Sequence, residues 1–219
     1  MTKFELLSFL PPEEQAAKLD GLDKLTFDDN EVIFTHGDNS TDVYFILEGA
    51  TKSVNYGPDG GIAYFRLRKA GDFFGYYAAI SGGHRTATMM AVGKTHLAKM
   101  NGAAFMLMVT TCPGMSRYML QLVTGLLREE TNRITGMVVL NAQQLVCAEL
   151  VSESESQKKE RISILSRQEM AAKLGLTRET ISRVLAGLAK KGIISLHKDT
   201  VEIKDKSELL AISTGASIL

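Results

Sequence analysis

The chain has 219 residues, 45% of them hydrophobic, so we expect one large or two modest folded domains rather than disorder. Its 25 basic and 25 acidic side chains balance, although residues 151–219 carry 12 basic against 9 acidic ones, which weakly favours an anionic partner there. The two cysteines exclude a four-cysteine zinc or iron–sulfur site and indicate a reducing compartment.

The sequence contains no segment that predicts a membrane span. The longest apolar stretch, residues 103–109, is far shorter than the about 20 residues that a spanning helix needs. Residues 1–15 lack the apolar core and the small-residue cleavage site of a signal peptide. We therefore expect a cytoplasmic protein without a membrane partner.

The sequence pattern of the N-terminal part of the chain predicts short helices followed by a β domain. Pro11 and Pro12, followed by acidic residues, predict one or two short helices over residues 1–25. From residue 27 to residue 100, β-branched and aromatic segments such as 31–35, 43–47 and 62–67 alternate with glycine-bearing turns. Residues 58–61, Pro-Asp-Gly-Gly, have the composition of a hairpin turn. This spacing predicts an all-β sandwich or barrel.

A long helix is predicted from Pro113 to about Ser152, where proline is absent after residue 113. Apolar residues recur along this helix about every 3.5 residues, which is the period of a narrow coiled-coil seam. They are Leu120, Val123, Leu127, Ile134 and Met137. Because no other element is available to cover this seam, we expect a homodimer joined along residues 115–140. The polar run at 152–160 then predicts a linker, a hinge or a surface loop.

Two helix-start signals follow in close succession. Ser166, with Glu169 three residues later, is a capping box that opens a short helix. Gly175 suits the left-handed conformation that ends a helix, and Thr177 suits the N-cap of a second helix that ends near Lys190. Segments 193–196 and 201–203, joined by residues 197–200, then predict a β-hairpin. Helix, tight turn, helix and hairpin make up a winged helix-turn-helix.

The second helix has a polar face and an apolar face. The residues Ile181, Val184, Leu185 and Leu188 can pack on the first helix, and the residues Arg178, Glu179, Ser182 and Arg183 share the opposite face. Arginine can donate two hydrogen bonds to guanine, and glutamate can accept one from the cytosine amino group. In this setting the polar face predicts sequence-specific binding in the major groove of DNA.

Residues 166–185 resemble the DNA-reading unit of the cyclic AMP receptor protein/fumarate-nitrate reductase regulator family. The resemblance implies that Arg178, Glu179, Ser182 and Arg183 read bases and that Arg167 and Gln168 contact the sugar–phosphate backbone. With the cap residue, the predicted DNA-binding set is Arg167, Gln168, Thr177, Arg178, Glu179, Ser182 and Arg183. The resemblance also implies that the protein binds double-stranded DNA at an inverted repeat with TGTGA-type or TTGAT-type half-sites, and that RNA polymerase is a protein partner.

The resemblance continues upstream, where residues 71–88 are similar to the phosphate-binding cassette of cyclic-nucleotide-binding β-rolls. It implies that Gly75, Arg85 and the small residue Thr86 hold a cyclic phosphate. Tyr76 stands where the family has a carboxylate for the ribose, so cyclic AMP is expected to bind weakly or not at all. The family layout brings Glu130 and Thr131 of the long helix to the far end of the ligand.

The resemblance implies an α+β fold in three parts: a β-roll effector domain over residues 1–112, a dimerisation helix and hinge over 113–151, and a winged helix-turn-helix over 152–219. The effector stays open between a cyclic nucleotide, another small ligand, and haem. The alternative function is therefore a haem-based gas (NO/CO) or redox-responsive regulator of the same family, with a histidine or a methionine as the haem ligand. The histidines that could ligate haem are His36, His84, His96 and His197. No cysteine precedes Cys112, so we expect no iron–sulfur cluster of the family's type.

Two other classes of function compete with a regulator. A cyclic-nucleotide-binding or interaction module would be expected to expose apolar anchors, rather than charged side chains, on residues 178–183. An enzyme would need a catalytic motif, and the chain has no nucleophile elbow, phosphate-binding Walker loop or paired catalytic carboxylates. We therefore expect no catalytic residue and no resident metal.

Overall fold

The computed structural model describes residues 4–57, 62–198 and 200–215. The chain divides into two compact units, residues 1–127 and residues 128–219. The architecture confirms an α+β fold with an N-terminal β domain and a C-terminal helix-turn-helix. The hairpin turn predicted at residues 58–61 lies outside the described residues, and the three-part division at residues 112 and 151 stays a prediction.

The first unit is an antiparallel β-roll flanked by helices. It opens with a short 3-10 helix at Glu5–Phe9 and helix α1 at Pro12–Asp20, which confirms the predicted N-terminal helices. The strands are β1 Asp23–Phe27, β2 Val32–Phe34, β3 Val43–Tyr56, β4 Ile62–Lys69, β5 Phe73–Phe74 and β6 Thr88–Met100. Helix α2 (Tyr76–Ser81) follows β5, and α3 (Gly102–Thr111) follows β6. The strand order is β1-β6-β3-β4, with β2 also paired to β6 and β5 to β3.

The roll buries apolar side chains on both faces of its sheet, because successive residues of a strand point to opposite sides. Phe74 packs inside the roll in a cluster with Tyr44, Met89 and other residues, and we call this group the inner cluster. Phe73 packs on the other face in a cluster that also holds residues of the N-terminal helices and of α3. The sheet is therefore held by apolar packing from both sides.

The long helix breaks at residues 140–141, so the prediction of one helix to Ser152 was wrong beyond Val139. Helix α4 spans Pro113–Val139 and α5 spans Ala142–Gln157. Asn141 caps α5 because its Oδ1 accepts hydrogen bonds from the backbone N–H groups of Gln143 and Gln144, each at 3.0 Å. The Gln144 side chain in turn accepts from the Asn141 N–H at 2.9 Å. This reciprocal box satisfies backbone donors that a continuous helix would have paired within itself.

The polar run at 152–160 is mostly helical, so the prediction of a linker or loop was wrong for residues 152–157. These residues form the last part of α5, and Ser154 is buried there. Lys158 has a positive φ of 52° and ends the helix, and the Ser154 hydroxyl donates to the Lys159 carbonyl at 2.8 Å. Only residues 158–160 form the turn.

The second unit contains the expected winged helix-turn-helix. Its elements are β7 Arg161–Ser163, α6 Arg167–Leu174, α7 Arg178–Lys190, β8 Ile194–Leu196, β9 Thr200–Ile203 and α8 Lys206–Thr214. The strands form a sheet in the order β7-β9-β8, and Asp199, in the predicted wing turn, is outside the described residues. One apolar cluster joins α5, α6, α7 and α8 through residues such as Leu150, Met170, Ile181 and Leu209. No helix in the described ranges is long and apolar enough to cross a membrane.

Candidate nucleic-acid interface and effector cassette

Side-chain caps define the starts of both α6 and α7. The Ser166 hydroxyl accepts from the Glu169 N–H at 3.2 Å, and the Glu169 carboxylate accepts from the Ser166 N–H at 3.1 Å. Gly175 ends α6 at φ 67°, where a side chain would be strained. The Thr177 hydroxyl then accepts from the Thr180 N–H at 3.2 Å and starts α7. The two predicted caps and the glycine turn are all confirmed.

Helix α7 places its apolar residues inward and its predicted base-reading residues in solvent. Ile181, Leu185 and Leu188 are buried in the core of the unit. The four exposed side chains near its start are those of Arg178, Glu179, Ser182 and Arg183. Within the described residues, none of the four makes a hydrogen bond or ion pair, so their polar groups are available to a partner.

The other predicted DNA contacts lie at helix starts in the same unit. Arg167 and Gln168 form the first turn of α6, where Gln168 is exposed and Arg167 is half-buried. Burial lowers the pKa of Arg167 from its ordinary value, which leaves a guanidinium charged at neutral pH. Thr177 is exposed and engaged as the α7 cap. All seven residues therefore belong to α6, α7 and their caps.

A buried ion pair on the inner side of α6 was not predicted. The Lys173 Nζ lies 2.6 Å from the Glu149 carboxylate and 3.5 Å from that of Glu153, both on α5. Glu149 is only 8% exposed, and burial raises its pKa against the opposing effect of Lys173. The two glutamates outweigh burial at Lys173 and raise the pKa of its ammonium group. The spacing of Glu149 and Glu153 by four residues was the available signal, since it places both on one helix face.

In the β-roll, the predicted cassette residues Gly75 and Arg85 lie together. Gly75 precedes α2 at φ 91°, and a Cβ there would lie 2.5 Å from the Asp42 carbonyl oxygen. The Arg85 Nη1 donates to the Gly75 carbonyl at 3.1 Å. Its Nη2 donates to the Ser40 hydroxyl at 3.0 Å and to the Asp42 carbonyl at 2.8 Å. A tight turn thus brings three oxygen acceptors around one guanidinium.

Arg85 is a buried cation, and the residue is only 3% exposed. Its guanidinium carbon lies 4.1 Å from the centre of the Phe34 ring, and its Nε has no hydrogen-bond partner. Burial lowers the pKa of Arg85, opposed by Tyr44, Asp42 and Asp38. No carboxylate forms an ion pair with Arg85 among the described residues, so an anion at this position would offset the cost of its burial.

The remaining predicted effector residues are not gathered around Arg85. The Tyr76 ring packs at 5.3 Å from the Phe73 ring, on the sheet face opposite to the inner cluster. Thr86 is exposed. Glu130 and Thr131 belong to the second unit, where Glu130 pairs with Arg133 at 2.8 Å and Thr131 is exposed. Sequence reasoning therefore located the arginine and the glycine of the cassette, and their role with an effector stays a prediction.

The four histidines occupy separate settings. The His96 Nδ1 is 2.9 Å from the Thr26 hydroxyl, and the His197 Nε2 lies 3.7 Å from Glu202 on the wing. His36 and His84 are exposed. Across the described part of the chain, no three histidine, cysteine, aspartate or glutamate side chains form a group that could hold a metal ion.

Comparison with known proteins gives two family matches that together cover both units. Residues 24–112 match the cyclic nucleotide-binding domain, and residues 143–212 match the Crp-like helix-turn-helix domain. The chain belongs to the cyclic AMP receptor protein/fumarate and nitrate reduction regulator family of transcription regulators. It is therefore a transcriptional regulator with a cyclic-nucleotide-binding-type domain and a helix-turn-helix DNA-binding domain.

The similar proteins include both cyclic AMP receptor proteins and fumarate and nitrate reduction regulators. The Cyclic AMP receptor protein of Thermus thermophilus is 26% identical over 94% of this chain and 95% of its own. The Fumarate and nitrate reduction regulatory protein of Salmonella typhi is 24% identical over 84% of this chain and 75% of its own. A solved structure of a CooA mutant from Carboxydothermus hydrogenoformans has a TM-score of 0.80 at 21% identity, covering 97% of this chain and 96% of that one. Its likeness concerns the fold alone.

Proposed function

We propose that the protein is a homodimeric regulator that reads an inverted-repeat DNA site with α7 and is gated by a small anionic effector in the β-roll. The observation that carries the DNA-reading part is the exposed face of α7. Two guanidinium groups, a carboxylate and a hydroxyl stand in solvent at the start of a helix that Thr177 caps and whose other face is buried. This arrangement fits the major groove, where such groups distinguish base pairs.

The exposed stripe along α4 supports self-association. Leu120 is 70% exposed, Leu127 67% and Val138 80%, and Ile134 is exposed between them. Four apolar side chains on one helix face are costly to leave in water, and a second copy of the same helix would bury them. Met137, which we predicted in this seam, instead lies against Gly175. A Cβ added at Gly175 would be 2.8 Å from the Met137 Cε. Paired α7 helices then require half-sites about one helical turn, roughly 34 Å, apart.

The effector part rests on Arg85. Its burial without an ion pair in the described residues favours a ligand that brings negative charge, and the left-handed Gly75 turn provides the close backbone approach. The Thermus relative is named for cyclic AMP, but here Tyr76 replaces the ribose carboxylate and packs away from Arg85. We therefore propose a small anion other than cyclic AMP. RNA polymerase is the proposed protein partner, and the chromosomal DNA of the cytoplasm is the proposed site of action.

The DNA-reading assignment is tested by fluorescence anisotropy on a labelled inverted repeat and on a shuffled duplex. Arg183→Ala is expected to cost about 1–3 kcal/mol on the specific site and to relax discrimination at one guanine. Arg167→Ala should weaken binding to both duplexes alike, because phosphate contacts carry no base information. The matched control is Lys190→Ala, at the exposed far end of α7. Equal losses on both duplexes for Arg183→Ala would refute its role as a base reader.

A further inference from the structure

The inner face of the β-roll carries a polar, cationic surface that the cassette does not include. Ser53 of β3 is paired with Met89 of β6 on one side and with Arg66 of β4 on the other. Met89 is also paired with Phe34 of β2 and belongs to the inner cluster. Directly opposed residues of antiparallel strands project to the same side of the sheet. Phe34, Met89, Ser53 and Arg66 therefore form one row across the inner face.

A second row runs beside the first. Thr51 is paired with Ala91 of β6 and with Arg68 of β4. Thr51 is two residues from Ser53 along β3, so it shares the inner face. The Arg68 Nη1 lies 3.4 Å from the Ser53 hydroxyl, which places its guanidinium on the same side. The two rows thus bring two arginines and two hydroxyl groups to one surface.

Several polar atoms of this surface are buried without a hydrogen-bond partner. Thr51 and Ser53 are buried, and the Thr51 hydroxyl has no partner. Asn55, the next inner-face residue of β3, has an unpartnered side-chain oxygen. Buried polar groups are almost always satisfied, so unpartnered ones mark a place where something polar binds. The surface ends at Phe34, over which Arg85 lies with its Nε unpartnered.

We infer that the effector carries two or more anionic groups, one held by Arg85 and another held by Arg66 and Arg68. The inference rests on the proposed effector gating and deepens it. Phe34 and Arg66 are separated by three interstrand steps, roughly 14 Å between backbones, which the inward reach of two arginine side chains shortens. Thr51, Ser53 and Asn55 lie on the same face of β3, and their polar groups are the ones that would bind the body of such a ligand. Guanidinium groups bind phosphate and carboxylate alike, so either group can supply the charge.

Calorimetry with two sets of probes tests this inference. Pyrophosphate, citrate and fructose bisphosphate carry two or more anionic groups, and acetate, orthophosphate and cyclic AMP carry one. At least one of the first set is expected to bind the full-length dimer at least about tenfold more tightly than every one of the second. Whether a bisphosphate or a polycarboxylate binds best distinguishes the two sources of charge. Failure of all three multiply charged probes, or equal binding of a singly charged one, would overturn the inference.

Variants on the two faces of β4 separate the site from general charge. Arg68→Gln and Arg66→Gln are each expected to lower the affinity for the best probe by at least about tenfold. Lys69→Gln removes the same charge from an exposed residue adjacent to Arg68, on the other face of the strand, and should leave the affinity unchanged.

The same proteins are titrated with the inverted-repeat DNA, with and without the best probe. If the probe binds through Arg68 but never changes the DNA affinity of the wild type, this inference stands and the proposed gating fails. Suppose instead that cyclic AMP changes the DNA affinity of the wild type and changes that of Arg68→Gln by the same factor. The proposed gating then stands and this inference fails.

Discussion

Replacing Lys173 with methionine leaves Glu149 buried without its counterion. Removing one partner of a buried ion pair costs about 3–5 kcal/mol, but the Lys173 side chain keeps about a third of its surface in water. We therefore discount this range for solvent screening and expect Lys173→Met to cost about 2–3 kcal/mol at pH 7. For a protein of this size that corresponds to a fall in Tm of roughly 4–12 °C. Differential scanning calorimetry measures it, with Lys190→Met on exposed α7 as the control.

The loss should depend on pH in a defined direction. Burial raises the pKa of Glu149 above that of the unfolded chain, and the neighbouring carboxylates of Glu153 and Glu129 act in the same direction. A carboxyl group with a raised pKa favours the fold at low pH, and that contribution is lost as the pH rises through its folded-state value. The deficit of Lys173→Met should therefore grow from pH 5 to pH 8.

A second variant distinguishes an uncompensated charge from lost packing. Combining Lys173→Met with Glu149→Leu removes both charges, and the pair of substitutions should recover most of the lost Tm. A Tm for Lys173→Met that equals the wild type at pH 7, or a loss that does not change with pH, would refute the reasoning. A double variant no more stable than Lys173→Met would do the same.

The remaining predictions concern the α4 stripe and the cassette turn. Leu127→Glu should convert the dimer to a monomer in analytical ultracentrifugation, because it sets two like charges against each other in a buried seam; Gln121→Glu, exposed and off the stripe, should not. An unchanged dimer would show that α4 is not the interface. Gly75→Ala should lower the Tm by several degrees, or about 2 kcal/mol or more, since φ is 91° and the new Cβ would meet the Asp42 carbonyl at 2.5 Å. Gly82→Ala has a positive φ with open space around it and should cost less, and equal losses would contradict this account.

The helix-turn-helix could be predicted almost residue by residue because local chemistry decides it. The capping box at Ser166, the glycine turn at Gly175 and the cap at Thr177 each act over three or four residues. The three signals agree with the apolar pattern of α7, so little tertiary information was needed. The alternation of strands and turns likewise predicted an all-β N-terminal domain, and the family resemblance implied that it is a β-roll.

Two errors came from giving too little weight to local helix signals. Asn141 and Gln144 form a capping box that the sequence displays, yet the apolar seam suggested a helix that continues through them. Residues 152–157 are polar because much of the C-terminal end of α5 faces solvent, not because the chain lacks structure there. Helix periodicity would have predicted that Glu149 and Glu153 share one helix face. Their pairing with Lys173 could not be predicted in the same way, because it depends on tertiary contact.

The cassette shows what sequence resemblance could not supply. The resemblance implied that Gly75 and Arg85 lie together, and the 3.1 Å hydrogen bond between them agrees with this. The packing of Tyr76 against Phe73 and the stacking of Arg85 over Phe34 depend on which face of the sheet each side chain occupies. The row that joins Phe34 to Arg66 depends on strand register, which a single sequence does not specify around the bulges of β2 and β3.

In vitro selection of random duplexes by the purified dimer tests the central claim most directly. The account predicts enrichment of an inverted repeat whose half-sites are centred about 10–11 base pairs apart. It also predicts that the same selection with Arg183→Ala loses preference at one guanine in each half-site. Enriched sequences without a repeat, or an Arg183→Ala motif identical to that of the wild type, would contradict the assignment of α7 as the reading element.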